Sequence, residues 1–339
     1  MREFKGYKKG INLGGWLSQC NHTIERYETF ITEEDFKRFT KWGIDHVRIP
    51  VDYKLLEDEE GNPTSYGMMY IQRAIDWCEK YSLNMILDLH RTAGFSFNVH
   101  EKQGFFYEDA LKERFYALWL RLAKAFGKYY DRMAFELLNE VTDPQYSKPW
   151  NEITRECIKR IRTVAPDTYI LVGSYWNNAL DALKDLDEPY DDKIVYNFHN
   201  YDPILFTHQG ARWSRNMPED FRIAFPATKQ TYLDAEKATN KVEKYTEHVP
   251  YEMMDHRLFE WRFAGIMKLA EERNVPLYCG EYGVINHAEP EHTLAWYQAI
   301  HAAFEKYGIG RACWSYKQMS FGLIDDHMAP VLEELVKYL

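Results

Sequence analysis

Eight short apolar runs alternate with amphipathic stretches along the whole chain, and few folds accept that pattern. The runs lie at 10–15, 46–51, 84–90, 133–140, 169–174, 194–201, 276–283 and 311–316. Helix-like segments fall at 33–42, 68–81, 108–129, 150–164, 178–186, 256–273 and 292–307, and 331–339 ends the chain. The runs are apolar throughout, as strands are when both faces are buried. Eight such strands interleaved with eight helices predict an α/β fold, a closed parallel (β/α)8 TIM barrel. The 339 residues suffice, since a barrel of this kind uses about 250. A doubly wound open sheet is the alternative. It would carry G-x-G-x-x-G after its first strand, and GINLGGW has neither the spacing nor the third glycine.

One connection is too long for a plain loop. Residues 202–255 separate the sixth strand from its helix and contain Phe206, Trp213, Phe221, Phe225, Tyr232, Tyr245 and Tyr251. A structureless stretch of that length is improbable. A small, largely helical subdomain is expected there, inserted after strand 6 on the barrel's C-terminal face, with 1–339 forming one catalytic domain.

Composition narrows the partners. The net charge of −10 argues against nucleic acid, which needs a basic track. Aromatic residues make up 16%, with 25 Tyr and 10 Trp. Tyr and Trp suit a flat apolar surface that also hydrogen bonds, such as a sugar's C–H face requires. The odd count of five cysteines, with no C-x-x-C, reads as reduced buried thiols. The twelve histidines form no H-E-x-x-H, so neither a metal nor any other cofactor is expected. No run is long enough to span a bilayer, and MREFKGYKKGINLGGW has no apolar leader core. A cytoplasmic monomer that does not bind membranes is expected, or a secreted one if a leader precedes this segment.

Residues at the C-terminal ends of barrel strands face the active site. Here they are Arg48, His90, Asn139, Glu140, His199, Tyr201, Glu281 and Trp314. Glu140 ends FELLNE and Glu281 lies in PLYCGEYG, each at the mouth of a buried run. A carboxylate there is costly unless it is paired or used. Two of them across a barrel make a candidate acid/base and nucleophile pair.

These motifs, with HVRIPVDY, ILDLHR, YNFHNY and CWSYKQM, resemble glycoside hydrolase family 5, the cellulase-like retaining hydrolases. GINLGGWLSQ, FTHQGARW and LYCGEYGV look like its compact clostridial endoglucanase C group, subfamily 37. The resemblance implies that Glu140 is the general acid/base and Glu281 the nucleophile, with carboxyl groups about 5–5.5 Å apart. It implies that Arg48 and the Tyr201 hydroxyl hold Glu281 ionised, and that His199 orients Glu140. Asn139 would bond the sugar 2-hydroxyl. His90 and Trp314 would contact the sugar on the non-reducing side of the cleaved bond. Arg91 stands where the commonest pattern has a second histidine. Trp176, Phe206 and Trp213 are candidate sugar platforms, with core packing as the alternative role. Lys317, Asn21, His22, Asn98 and Gln209 are candidates for hydroxyl contacts.

The expected activity is retaining hydrolysis of β-1,4 linkages in cellulose-type and mixed-linkage β-1,3-1,4-glucans. A β-mannanase and an exo-acting β-glucosidase or transglycosylase are the alternatives on the same scaffold. A non-catalytic sugar-binding barrel should have lost a catalytic glutamate, and both are present. A metal-dependent barrel hydrolase should carry H-x-H on the first strand, where Ile11-Asn12-Leu13 stands.

Overall fold

The computed structural model describes residues 1–98 and 103–339. Eight parallel strands close a barrel: β1 Lys9–Asn12, β2 His46–Asp52, β3 Asn84–Arg91, β4 Met133–Glu136, β5 Tyr169–Gly173, β6 Ile194–Asn200, β7 Leu277–Tyr282 and β8 Gly310–Cys313. Closure is made by β1, which pairs with β2 (Asn12 beside Arg48) and with β8 (Ile11 beside Cys313). The longest outer helices are α1 Glu33–Lys41, α2 Ser65–Lys80, α3 Asp109–Phe126, α4 Ser147–Arg162, α5 His256–Glu272 and α6 Pro290–Tyr307. After β5 the predicted helix is a short 3-10 turn, Leu180–Asp185.

Local sequence explains the helix ends. Before α1, the Thr32 amide donates to the Asp35 carboxylate at 2.8 Å, one half of a capping box. Glu33, Glu34 and Asp35 fill the first turn, and Arg38 and Lys41 lie in the last. Both sets suit the helix dipole. Phe36 and Phe39 form the buried face. At the other end of the barrel wall, α6 opens on Pro290 and is stopped by Gly308 at a left-handed φ of 64°.

Period two along the strands builds the barrel interior in layers. An apolar layer contains Ile86, Ala134, Leu171, Val195, Tyr278 and Ala312, and Phe4 and Tyr7 from the N-terminal segment pack into it. The rings of Phe4 and Tyr7 stack at 4.0 Å, and Phe4 meets Tyr278 edge-on. These two rings plug the base of the barrel. Two residues further along their strands come Asp88, Glu136 and Asn197, all fully buried. Another step brings His90 and His199 to the mouth.

The fourth strand ends at Glu136, not at Glu140 as the apolar run suggested. In a strand, neighbouring side chains alternate faces, so Asn139 and Glu140 cannot both enter the mouth from regular β backbone. The chain leaves the ladder instead, and Glu140 takes a left-handed φ of 45°. Buried tryptophans hold these irregular ends. Trp119 on α3 donates its indole N–H to the Leu137 carbonyl at 3.0 Å, and Trp150 on α4 to the Gly173 carbonyl at 2.8 Å.

Residues 202–255 contain helices Ile204–Thr207 and Lys229–Thr239 and a 3-10 turn, Thr246–His248. They also hold an antiparallel ribbon that pattern reading missed, with Ala227 beside Met254 and Thr228 beside Met253. The Glu243 carboxylate accepts from the Ile204 and Leu205 amides at 3.0 Å each and from the Tyr245 hydroxyl. It thereby ties the later part of the segment to its first helix. All five cysteines are free, four of them buried. No helix of the described residues is long and apolar enough to cross a membrane.

Trp119→Phe and Trp150→Phe keep a ring but leave a buried carbonyl unpaired. Each should cost about 1–3 kcal/mol, read as a lower midpoint in thermal denaturation.

Candidate active site

The site is organised around Arg48, which is fully buried. Its Nε and Nη2 bond the two oxygens of Glu136 at 2.7 and 2.8 Å, a bidentate pair. Its Nη1 bonds Asn12 Oδ1 at 2.9 Å and Glu281 Oε1 at 2.7 Å. Its Nη2 also donates to Asn139 Oδ1 at 2.9 Å and lies 3.0 Å from Asp88 Oδ2. The five N–H donors of the guanidinium are thus all engaged. The sequence offers Glu281 as the anion for Arg48, with Asp52 or Asp88 as the alternative. The structure puts Glu281, Asp88 and Glu136 on the same cation.

One cation against three buried carboxylates leaves excess negative charge. Burial, reinforced by the charges of Asp52 and Glu140, pushes the Asp88 carboxyl up to about 7, although Arg48 pulls the other way. Burial likewise raises Glu136.

Glu281 sits on β7 just past a register shift at Cys279–Glu281, which turns its side chain into the mouth, and it is buried. Arg48 holds Oε1, and the Tyr201 hydroxyl donates to Oε2 at 3.0 Å. Burial and the charge of Glu281 push the Tyr201 phenol far up, so it stays a donor. Among the described residues, no lysine or arginine touches Glu140. His199 Nδ1 donates to its Oε1 at 2.9 Å, and Asn177 Nδ2 to its Oε2 at 3.0 Å. Asn178 Nδ2 lies 3.4 Å from His199 Nε2, which fixes the proton on Nδ1. Gly173 makes room for this amide, because a Cβ there would lie 2.2 Å from Asn178 Oδ1. Burial lowers His199 to about 4, so the ring is neutral at neutral pH. Burial raises Glu140, partly offset by the Asn177 hydrogen bond and by the charges of His90 and Arg48.

One oxygen of Glu140 and one of Glu281 lie within 4.8 Å of each other, with a ring nitrogen of His199 equally close. Among the described residues this is the one group with metal-like spacing. All four carboxylate oxygens are already committed, to His199, Asn177, Arg48 and Tyr201.

Beside the pair, His90 Nδ1 bonds Asp88 Oδ2 at 2.6 Å. The His90 ring lies parallel to Trp314, with centroids 5.8 Å apart. Gly14 packs behind Trp314, where a Cβ would meet the ring at 2.7 Å. Arg48, His90, Asn139, Glu140, His199, Tyr201, Glu281 and Trp314 are therefore linked in one contact network.

The outer candidates divide. Trp176 is 45% exposed, next to Asn177, with Lys244 Nζ from the insertion 4.8 Å from its ring centre. Trp213 is 61% exposed on the insertion. Phe206 is corrected: it is fully buried against Phe225, so it offers no face to a sugar. Gln209 is buried too, bonded to backbone at Phe206 and Ile223. Lys317 directs its ammonium to Asp35 at 3.5 Å and over the Phe30 and Tyr316 rings, away from the paired carboxylates. His22 is paired with Asp52, which raises it to about 9. Asn21 and Asn98 are among the described residues but touch none of the paired carboxylates' partners.

Sequence reading missed Asn12, Glu136, Asn177, Asn178 and Asn197, and offered Asp88 only as an alternative partner of Arg48. A signal existed for three of these six. Asp88, Glu136 and Asn197 are polar residues inside apolar runs, at even spacing from His90, Glu140 and His199.

A parallel barrel whose mouth pairs an arginine-held carboxylate with one held by neutral donors is the framework of a glycoside hydrolase. The profile of the cellulase family, glycosyl hydrolase family 5, matches residues 6–320. Cellodextrinase A of Ruminococcus flavefaciens is 42% identical over 314 residues, 92% of this chain and 86% of that protein. Endoglucanase C of Acetivibrio thermocellus is 36% identical over 339 residues, covering 98% of both. Among solved structures, the cellulose synthase subunit Z of Clostridioides difficile superposes with a TM-score of 0.76 at 26% identity, over 97% of this chain and 99% of that one. A hyperthermophilic endo-β-1,4-glucanase in complex with substrate shares the fold, with a TM-score of 0.78 at 22% identity over 98% and 97% of the two chains. The chain belongs to glycosyl hydrolase family 5, and it is a hydrolase of the cellulase type.

The raised Asp88 gives a pH test. Its folded-state value of about 7 lies above an unfolded value of about 4. What it contributes to stability is present below pH ~4 and lost as pH rises towards 7. Relative to the wild type, Asp88→Asn should therefore gain stability from pH 5 to pH 8, read as the difference in melting temperature.

Proposed function

We propose that the protein is a retaining endo-β-1,4-glucanase that cuts cellulose-type and mixed-linkage β-1,3-1,4-glucans by double displacement. The observation that carries this reading is the unequal environment of two carboxylates whose oxygens lie within 4.8 Å. That closeness suits direct attack by one of them and leaves little room for an intervening water. Glu281, held by Arg48 and Tyr201, is prepared as the ionised nucleophile. Glu140, raised by burial and without a cationic partner among the described residues, is prepared to carry a proton.

In the first step a Glu281 oxygen forms a bond to the anomeric carbon. The glycosidic C–O bond breaks, its electron pair stays on the leaving oxygen, and that oxygen takes the proton of Glu140. In the second step Glu140, now a carboxylate, removes a proton from water. The water oxygen bonds the anomeric carbon and Glu281 leaves. Two inversions return the original stereochemistry. Asn139 has its Oδ1 fixed by Arg48, which leaves its amide nitrogen to donate to the sugar 2-hydroxyl. Trp314, backed by Gly14 and only 6% exposed, is the candidate floor for the same sugar. Positioning and fixed dipoles provide the rate, with no cofactor in the scheme.

A second reading is action on short chains or from chain ends. Lys244 brings the insertion over Trp176 at the edge of the mouth, which would narrow one end of a cleft. The curated relative at 42% identity is a cellodextrinase. Chromatography of products from barley mixed-linkage glucan, carboxymethyl cellulose, mannan and cello-oligosaccharides separates these outcomes. Random shortening of the polymers supports the endo reading. Release of only small sugars from chain ends supports the second.

Glu281→Ala should abolish turnover while the melting curve stays cooperative. Glu140→Gln should lose about 10²–10⁴-fold on cello-oligosaccharides, yet keep the first step on a dinitrophenyl cellobioside, whose leaving group needs no proton. Proton NMR should detect the β-anomer as the first product; initial release of the α-anomer would refute the retaining scheme.

A further inference from the structure

The turn after β5 has a backbone that costs energy and a side chain that the reaction scheme leaves unexplained. Trp176, Asn177 and Asn178 adopt left-handed φ of 52°, 57° and 56° in succession. Asparagine tolerates that region, whereas a tryptophan there is strained. The conformation is pinned at both ends. The Asn177 amide donates to the Val141 carbonyl at 2.9 Å, directly after Glu140 in the chain, and the Asn178 amide to Ser174 at 3.2 Å. The result is that Asn177 Nδ2 reaches Glu140 Oε2 at 3.0 Å, while the other oxygen is taken by His199.

We propose that Asn177 is a positioning residue that sets how readily Glu140 gives up and takes back its proton, by donating to Oε2 most strongly when the group is a carboxylate. This rests on the assignment of Glu140 as acid/base. As the proton passes to the leaving oxygen, charge grows on Glu140 and the Asn177 hydrogen bond strengthens with it. The bond therefore favours the transition state of acid catalysis and holds the carboxylate ready for the water step.

The other groups around Glu140 come from four strands. They are Arg48 on β2, Asp88 and His90 on β3, His199 on β6 with Tyr201 just beyond its end, and Glu281 on β7. The insertion's Lys244 faces the Trp176 ring next door. Burial is the largest influence raising Glu140, and the Asn177 hydrogen bond is the largest one opposing it. Without that donor Glu140 should be a weaker acid, protonated to higher pH.

The test compares wild type, Asn177→Ala, the isosteric Asn177→Asp and Glu140→Ala. kcat/KM is measured against pH on cellopentaose and on 2,4-dinitrophenyl β-cellobioside, with circular dichroism as the check on folding. Asn177→Ala should move the alkaline limb of the cellopentaose profile up by about half a pH unit, the scale of one lost hydrogen bond to a charged, partly exposed group. Asn177→Asp, which adds a negative charge at the same place, should move it further. Both should lose roughly three- to tenfold on cellopentaose and much less on the aryl glycoside, which does not depend on the acid. An alkaline limb that coincides with wild type in both variants would overturn the proposal, as would equal losses on both substrates. If Glu140→Ala hydrolyses cellopentaose at the wild-type rate, the acid/base assignment itself fails and this proposal falls with it. Loss of activity in Glu140→Ala with unmoved Asn177 profiles sinks only the role of Asn177.

Discussion

A guanidinium with no exposure to water holds five strands of this barrel together. Stripping Arg48 of solvent costs several kcal/mol unless anions replace the lost hydration. The chain supplies them from around the ring: Asp88 from β3, Glu136 from β4 and Glu281 from β7, with amide oxygens from Asn12 on β1 and Asn139 beyond β4. The partners come from four strands besides the arginine's own, so the cluster assembles only when the barrel is closed. The bidentate pair with Glu136 fixes the plane of the guanidinium from below. That leaves one edge to grip Glu281. The order of layers follows from this. An apolar layer lies beneath, the charged layer rests on it, and the pair of carboxylates rests on the charge.

The two carboxylates are built by contrasting means. Glu281 uses a bulged strand and a charged partner. Glu140 uses a left-handed residue past the end of β4, two neutral donors and a strained turn after β5. Tryptophans from α3 and α4 brace both irregular ends by binding the Leu137 and Gly173 carbonyls. The difference suits their proposed tasks. A group that stays charged is served by a fixed cation, and one that changes charge twice in each cycle is better served by dipoles that tolerate both states.

Much of this was legible in the chain. The eight apolar runs became the eight strands, because burial on both faces leaves a continuous apolar signature that little else produces. Six of the seven helical segments between the runs appear within a few residues of their predicted bounds. His90, Asn139, Glu140, His199, Tyr201, Glu281 and Trp314 were found because they end or follow strands, whereas Arg48, expected at a strand end, is the third residue of β2. Residues one layer deeper were harder to see. Asp88, Glu136 and Asn197 look like interruptions in apolar runs until the barrel brings them together around one arginine. Asn177 and Asn178 left no trace at all, since an unusual turn has no periodicity. The insertion was legible as folded but not as to its faces: Phe206 and Trp213 are equally aromatic in sequence, and only packing decides that one is core and the other surface.

Phe4 and Tyr7, stacked beneath the apolar layer, close off the far side of the barrel. No ligand can thread through the ring. A long saccharide can only lie across the rim, enter from the side, and have both fragments depart by the face at which it arrived. Nothing about that geometry keeps a cut chain in place, so the number of cuts made per encounter would be set by what grips the chain outside the central pair.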